Sequence, residues 1–329
     1  MNLKHRARLA ASLLASLAIG PLAASPGTAQ EASAAAEREQ AQTQARTETQ
    51  APAQAADDGD IIVTGRPEPR RADISRQARA IGRSSGSAYR NPIARFEGPV
   101  CPGVMGLPEE LAEHMVGRIR EIAERAGLRL APENACRVNV VIAFVPDTRA
   151  GMEQVERAMP GLFDNVSRAD RRAIYESSGP VRLVTAKLEK TRDGMPIPRD
   201  DGRGGPPVVE IPLAHSRIFL TTREDIEAVV LLFERAAVDG LSVVQLADYA
   251  AMRSFAETSP PRDEVLSMDT ILTLFQPGAQ PPQSLTAFDE AYLRSVYDGL
   301  PNMPAMSKML GVNRQLRKME RESESADAD

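Results

Sequence analysis

The chain is poor in the residues from which most enzyme sites are built. Its 329 residues include three histidines and two cysteines, and aromatic side chains make up 4%. A structural zinc site needs several closely spaced cysteine or histidine ligands, and Cys101 and Cys136 are far apart with few partners. No metal or cofactor is therefore expected. No Gly-x-Ser-x-Gly elbow occurs, and no pattern of acids supports a nucleophile triad. Gly202-Arg203-Gly204-Gly205 is not a phosphate loop, because neither a Lys-Ser/Thr pair nor a helix follows it. Beyond the first two dozen residues no apolar run is long enough to cross a bilayer. Few aromatics accompany the basic residues, so there is no platform for stacking bases, and nucleic acid is not expected as a partner.

What the chain does have begins with an export signal. Lys4, His5, Arg6 and Arg8 form a basic start. Leu9 to Ala24 is an apolar stretch interrupted by Gly20 and Pro21, and Gly27-Thr28-Ala29 is a small-residue cleavage site. Residues 1–29 thus read as a signal peptide, and the mature product is expected to be periplasmic or secreted, with no membrane span left. Its loss takes Lys4, Arg6 and Arg8 with it, moving the formal charge from −5 to −8. In an oxidising compartment two cysteines are expected to pair, so Cys101 and Cys136 should form a disulfide.

Residues 30–60 are Ala, Gln, Glu, Thr and Pro without apolar periodicity, too polar to offset the entropy of ordering. From Arg66 to Arg95 eight arginines face only Glu68 and Asp73, a local charge of +6. Residues 30–97 are therefore expected to be a disordered, low-complexity and Arg-rich linker. Its basic part, within residues 60–95, suits an anionic membrane surface or an acidic envelope protein.

The folded part is expected over 98–319, as one α+β domain or as two lobes, about 98–189 and 208–319. Its sheet is expected to be mixed and mostly antiparallel, packed against helices. Pro108 and Gly127 bracket a helix with Leu111, Met115, Ile119, Ile122 and Ala126 on one stripe. Val138 to Val145 is a near-continuous apolar run, hence a buried strand. Two short helices are expected at 152–159 and 168–177, the second capped by Ser167 with Asp170. Strands are expected at 181–188, 208–212, 217–221 and 228–233, with an exposed Pro/Gly loop at 190–207. The run at 226–238 also fits an amphipathic helix. Val229, Val230 and Phe233 favour the strand. A helix from about 304 to 320 should end in an acidic, disordered tail, 320–329.

The centre of organisation is 241–299. Ser242 with Gln245, and Thr286 with Asp289, read as capping boxes that open two helices. Pro260-Pro261 and Gly299 stop them, and a β-rich run, Thr270 to Phe275, lies between. This order resembles the C-terminal half of zincin-type metallopeptidases, in which an active-site helix is followed by a methionine turn and a final helix. In that overlay Ala247 and Ala251 stand at the two histidine ligands of H-E-x-x-H and Asp248 at its glutamate. Ser254 stands at the glycine, Glu257 at the third histidine and Met268 at the turn methionine. Alanine has no donor atom, so the resemblance implies a degenerate scaffold without zinc.

A second resemblance is shorter. Asp60 followed by Ile61, Ile62, Val63, Thr64, Gly65 and Arg66 is similar to the segment near the N-terminus of mature TonB-dependent receptors. That resemblance implies partner binding by strand addition.

Two function classes follow. One is an exported, non-catalytic binding or interaction protein of the bacterial cell envelope, a pseudoenzyme on the zincin-like scaffold. The other is a peptidase-like hydrolase using Asp248, Glu257 and His215. Convergence of those three in one cleft would favour the hydrolase. His114, beside Glu110 and Glu113, reads as part of a solvated helix face. Asp248 lies among apolar neighbours, so it needs a partner such as Arg217 or Arg253.

Overall fold

A computed structural model describes residues 69–84, 86–133, 136–197, 218–261 and 266–326. The signal segment, Ile61 to Arg66, the stretch 198–217 with His215 and Arg217, and residues 327–329 lie outside them. The described chain is α+β, with one four-stranded mixed sheet and, among these residues, seven α-helices. In chain order these are α1 (Arg71–Ile81), β1 (Pro102–Met105), α2 (Glu109–Ala126), β2 (Val140–Val145), α3 (Thr148–Ala158) and α4 (Arg168–Glu176). Then come β3 (Val181–Thr191), β4 (Thr222–Glu234), α5 (Val243–Phe255), α6 (Ala287–Tyr297) and α7 (Ala305–Ala326). None of these helices is long and apolar enough to cross a membrane.

The sheet order is β1-β2-β4-β3. β1 with β2, and β2 with β4, are parallel, and β3 with β4 is antiparallel. The sheet is mixed as expected, but two of its three pairings are parallel, because a helix crosses over between β1 and β2. The antiparallel pairing is the longest. Alternation along β2 and β4 feeds two layers. Val140, Ile142 and Phe144, with Val229, Leu231 and Phe233, enter the main core under α1, α2, α5, α6 and α7. Ala143, Val184, Val230 and Leu232 meet Met152 and Phe163 on the opposite face. Both faces of β4 are buried, so its sequence is one continuous apolar run that helical periodicity cannot be told from.

Most helix boundaries follow their local signals. Gly127 takes φ +86 as the left-handed cap of α2, and the Ser242/Gln245 and Thr286/Asp289 capping boxes both form. Ser167 Oγ accepts the Asp170 N–H at 3.0 Å and opens α4. The Cys101–Cys136 disulfide is present. It ties the segment before β1 to the chain leading into β2.

Three expectations are corrected. Among the described residues, the packed chain begins well before 98. Residues 71–81, expected within a linker, form α1, whose Ile74, Ala78 and Ile81 are buried. Gln77 Nε2 donates to the Met268 carbonyl at 2.8 Å, and its Oε1 accepts from the Met268 N–H at 2.9 Å. Arg95, counted in the basic arm, is itself buried, bonded to Glu97 and to the Val296 carbonyl. The arginine count hid the apolar stripe. At the other end α7 runs on to Ala326, past the expected start of the tail.

Thr270 to Phe275 is not a strand; Ile271–Thr273 is one 3-10 turn. Asp289, fully buried, explains the override. Its carboxylate accepts from Thr270 Oγ1 at 2.6 Å and from the Ile271 N–H at 2.8 Å, which bends the chain where β-propensity would extend it. Burial pushes the Asp289 carboxyl up to about 6, against hydrogen bonds from Thr270, Ile271 and Thr286 that pull the other way.

β4 is interior, and the edge is its hairpin partner β3.

Lys308 on α7 is 5% exposed and donates to the Asp298 carbonyl at the end of α6. Burial, and then the neighbouring Arg95, push its ammonium down to about 8. The unfolded chain still holds that proton up to about pH 10.5, so stability should climb as pH rises above 8. Between pH 8 and 9.5 we expect a rise of about 1–2 kcal/mol from this group. Urea midpoints at the two pH values should show it in wild type and lose most of it in Lys308→Met. An equal climb in the variant would contradict this assignment. Burial raises the hydroxyls of Tyr292 and Tyr297, which act in the opposite sense only at higher pH.

Candidate functional site

The cleft that concentrates polar side chains lies along β3 and has a volume of about 940 Å³. Arg182, Leu183, Thr185, Lys187 and Glu189 of β3 line it. On one side stand Tyr249, Arg253 and Glu257 at successive turns of α5 and its end, with Leu272, Phe275 and Gln276. On the other are Asn165 to Ser167 and Asp170, Ala173, Ile174 and Ser177 of α4 and its surroundings. Arg83 pairs with Asp170 across 3.0 Å between exposed side chains.

The outer edge of β3 is the first chemical asset. The Glu234 N–H donates to the Pro180 carbonyl, which fixes the parity of the ladder. Arg182 and Val184 then turn their backbone groups to β4, while Val181, Leu183, Thr185 and Lys187 turn theirs outward. The Lys187 carbonyl accepts from Asn165 Nδ2, and Glu189 and Thr191 bond Ile197 and Met195, consistent with that parity. The N–H and C=O of Leu183 and Thr185 have no backbone partner among the described residues.

The second asset is charge. Lys187 Nζ stands 3.0 Å from Glu257 and 3.6 Å from Glu224. Burial pushes the Lys187 ammonium down, but the carboxylates of Glu257 and Glu224 outweigh it and hold it above the ordinary lysine value. Glu257 has φ +47, the one non-glycine residue in the left-handed region among those described, placed just past the end of α5. Arg253 Nη1 donates to the Tyr249 hydroxyl at 2.9 Å, and the guanidinium lies 5.7 Å from the Tyr249 ring centroid. Tyr249 is fixed edge-on against Phe275, with centroids 5.0 Å apart.

The residues singled out from the sequence are dispersed. Asp248 is fully buried and turns away from the cleft, into the contact between α5 and α2. Arg118 grips it with both forks, Nε to Oδ1 at 2.7 Å and Nη2 to Oδ2 at 3.1 Å, and the Leu285 N–H donates to Oδ2. The hydrogen bond from Arg118 to Asp248 raises the Arg118 guanidinium above its ordinary value. The partner is thus neither Arg217, outside the described residues, nor Arg253, which faces the cleft. Glu257 does line the cleft, and His215 lies outside the described residues. His114 is exposed on α2.

Ala247 and Ala251 are fully buried in the core, and among the described residues no group of three His, Cys, Asp or Glu could hold a metal. The face of α5 that meets the cleft is offset by two residues from the zincin overlay. It carries Tyr249, not singled out from the sequence, and Arg253, considered there only as a partner for Asp248, although their four-residue spacing was visible. What could not be seen was which side of a nearly all-buried helix would be open. Comparison with protein-family models, with curated proteins and with solved structures finds no match.

Proposed function

We propose that this is an exported, non-catalytic binding protein of the bacterial cell envelope, and that its cleft receives an extended peptide segment beside β3. The observation that carries the reading is the outer edge at Leu183 and Thr185, unpaired among the described residues and facing a cleft with an apolar and aromatic wall. An extended segment laid there would satisfy those N–H and C=O groups by strand addition. The zincin-like scaffold belongs to the same proposal. It is supported by the succession from sheet edge to β4, α5, the Met268 turn and α6.

Two observations count against chemistry by two of the three residues considered for a hydrolase. Asp248 is sequestered by Arg118, and Glu257 is held by Lys187. The Cys101–Cys136 disulfide fits the oxidising compartment that the N-terminal segment implies. We place contact with an envelope partner or anionic membrane surface at Ile61, Ile62, Val63, Thr64, Gly65 and Arg66. The exposed arginines of the following helix, Arg71, Arg76 and Arg79, add positive charge shortly after them in the sequence.

The experiment that tests the cleft is amide exchange at the outer edge of β3 with and without bound peptide. Protection at Leu183 and Thr185 is the expected result.

A further inference from the structure

We infer that the peptide received by this cleft carries an acidic side chain, and that Arg253 is the group that receives it. The inference rests on the reading of the cleft as a peptide site and adds the chemical class of its ligand.

Arg253 makes no ion pair with any described carboxylate, although the nearby cation Lys187 stands between two. Its fork is only partly used. Nη1 is committed to the Tyr249 hydroxyl, while Nε is closed off from water and has no acceptor. Arg253 lines the cleft, so its uncommitted donors stand where a partner arrives from outside. The Nε and Nη2 side of a guanidinium matches the two oxygens of a carboxylate, and that side is the one left over. Tyr249 fixes the guanidinium from beneath, and Phe275 fixes Tyr249, so the fork is held in place before the ligand arrives.

The register follows from the sheet. Side chains alternate along a strand, and the side chains of Leu183 and Thr185 share the α5 face. A peptide strand beside them must also send every second side chain to that face, where Arg253 stands. The carboxylate should therefore occupy one fixed position, not either of the two adjacent ones. Glu257 is tied to Lys187 and does not repel it strongly from the next turn.

The test is a selection of displayed random dodecapeptides on the full mature chain. Affinities are then measured for the winning peptide, for its Glu/Asp to Gln/Asn counterpart, and for a form N-methylated at alternate backbone positions. Wild type is expected to select β-branched peptides with one acidic residue in a fixed place, and to bind the amide counterpart about tenfold or more weakly. In Arg253→Gln the acidic peptide should fall to the level of its counterpart, and Arg253→Lys should recover only part of the difference. Unchanged thermal unfolding of both variants separates loss of binding from loss of fold, and either variant alone suffices. Winners without an acidic preference, or a preference that survives both variants, overturn this inference and leave the peptide cleft standing. No selectable peptide, or equal binding of the N-methylated form, overturns both.

Discussion

Asp248→Asn is expected to destabilise the protein by about 3 kcal/mol. The carboxylate has no exposed surface, and the Arg118 side chain is 21% exposed. Removing the charge leaves the Arg118 guanidinium at the α2–α5 contact with only Glu121, at 2.9 Å, to answer it. The new amide also presents N–H groups where the carboxylate met donors on both oxygens, Arg118 on each and Leu285 on Oδ2. Arg118→Met should cost a comparable amount, because it leaves a buried carboxylate with the Leu285 N–H alone. The double change Arg118→Met with Asp248→Leu should cost clearly less than the two single losses combined, since neither charge is then stranded. Urea unfolding of the four proteins measures all of these. An unchanged or raised midpoint in Asp248→Asn would remove its structural role and return it to the list of catalytic acids.

Loss of the Cys101–Cys136 bridge is expected to cost about 3–4 kcal/mol, from the chain entropy released when its 35-residue loop is opened. That loop holds β1 and the whole of α2, the helix that carries Arg118. The fold should survive the loss, because the same junction is also held by hydrogen bonds. Asn139 Oδ1 accepts from the Cys101 N–H at 2.8 Å, and the Cys101 carbonyl accepts from the Asn139 N–H at 3.0 Å. Cys101→Ala with Cys136→Ala should therefore fold and unfold at lower temperature, and reductant should shift wild type but not the variant. Two titratable thiols in unreduced, unfolded wild type would contradict the pairing.

The parts of the fold that could be read from the sequence are those fixed by local chemistry. Pro108 and Gly127 bound α2, and Ser242 with Gln245 and Thr286 with Asp289 open α5 and α6, because capping is decided within four residues. Features decided by distant partners were hidden. Asp289 turned a β-branched run into a 3-10 turn through bonds to Thr270 and Ile271, 19 and 18 residues away. Gln77 docked an arginine-rich stretch onto Met268 across 191 residues. The site was partly visible in the same way. A lone acid on an apolar helix face, Asp248, announced a buried partner, but Arg118 could not be named because it comes from another helix. Tyr249 and Arg253 were spaced to share a face, yet only the sheet order makes β3 an edge and opens that face.

The most direct test of the account is hydrogen exchange of the full mature chain, resolved to single amides, with and without the dodecapeptide selected on it. A strand added to β3 should slow exchange at the outward N–H groups of Leu183 and Thr185 by at least tenfold. The inward N–H groups of Arg182 and Val184, already in the ladder, should change little. Protection confined to another surface, with Leu183 and Thr185 exchanging as fast as before, would contradict the account.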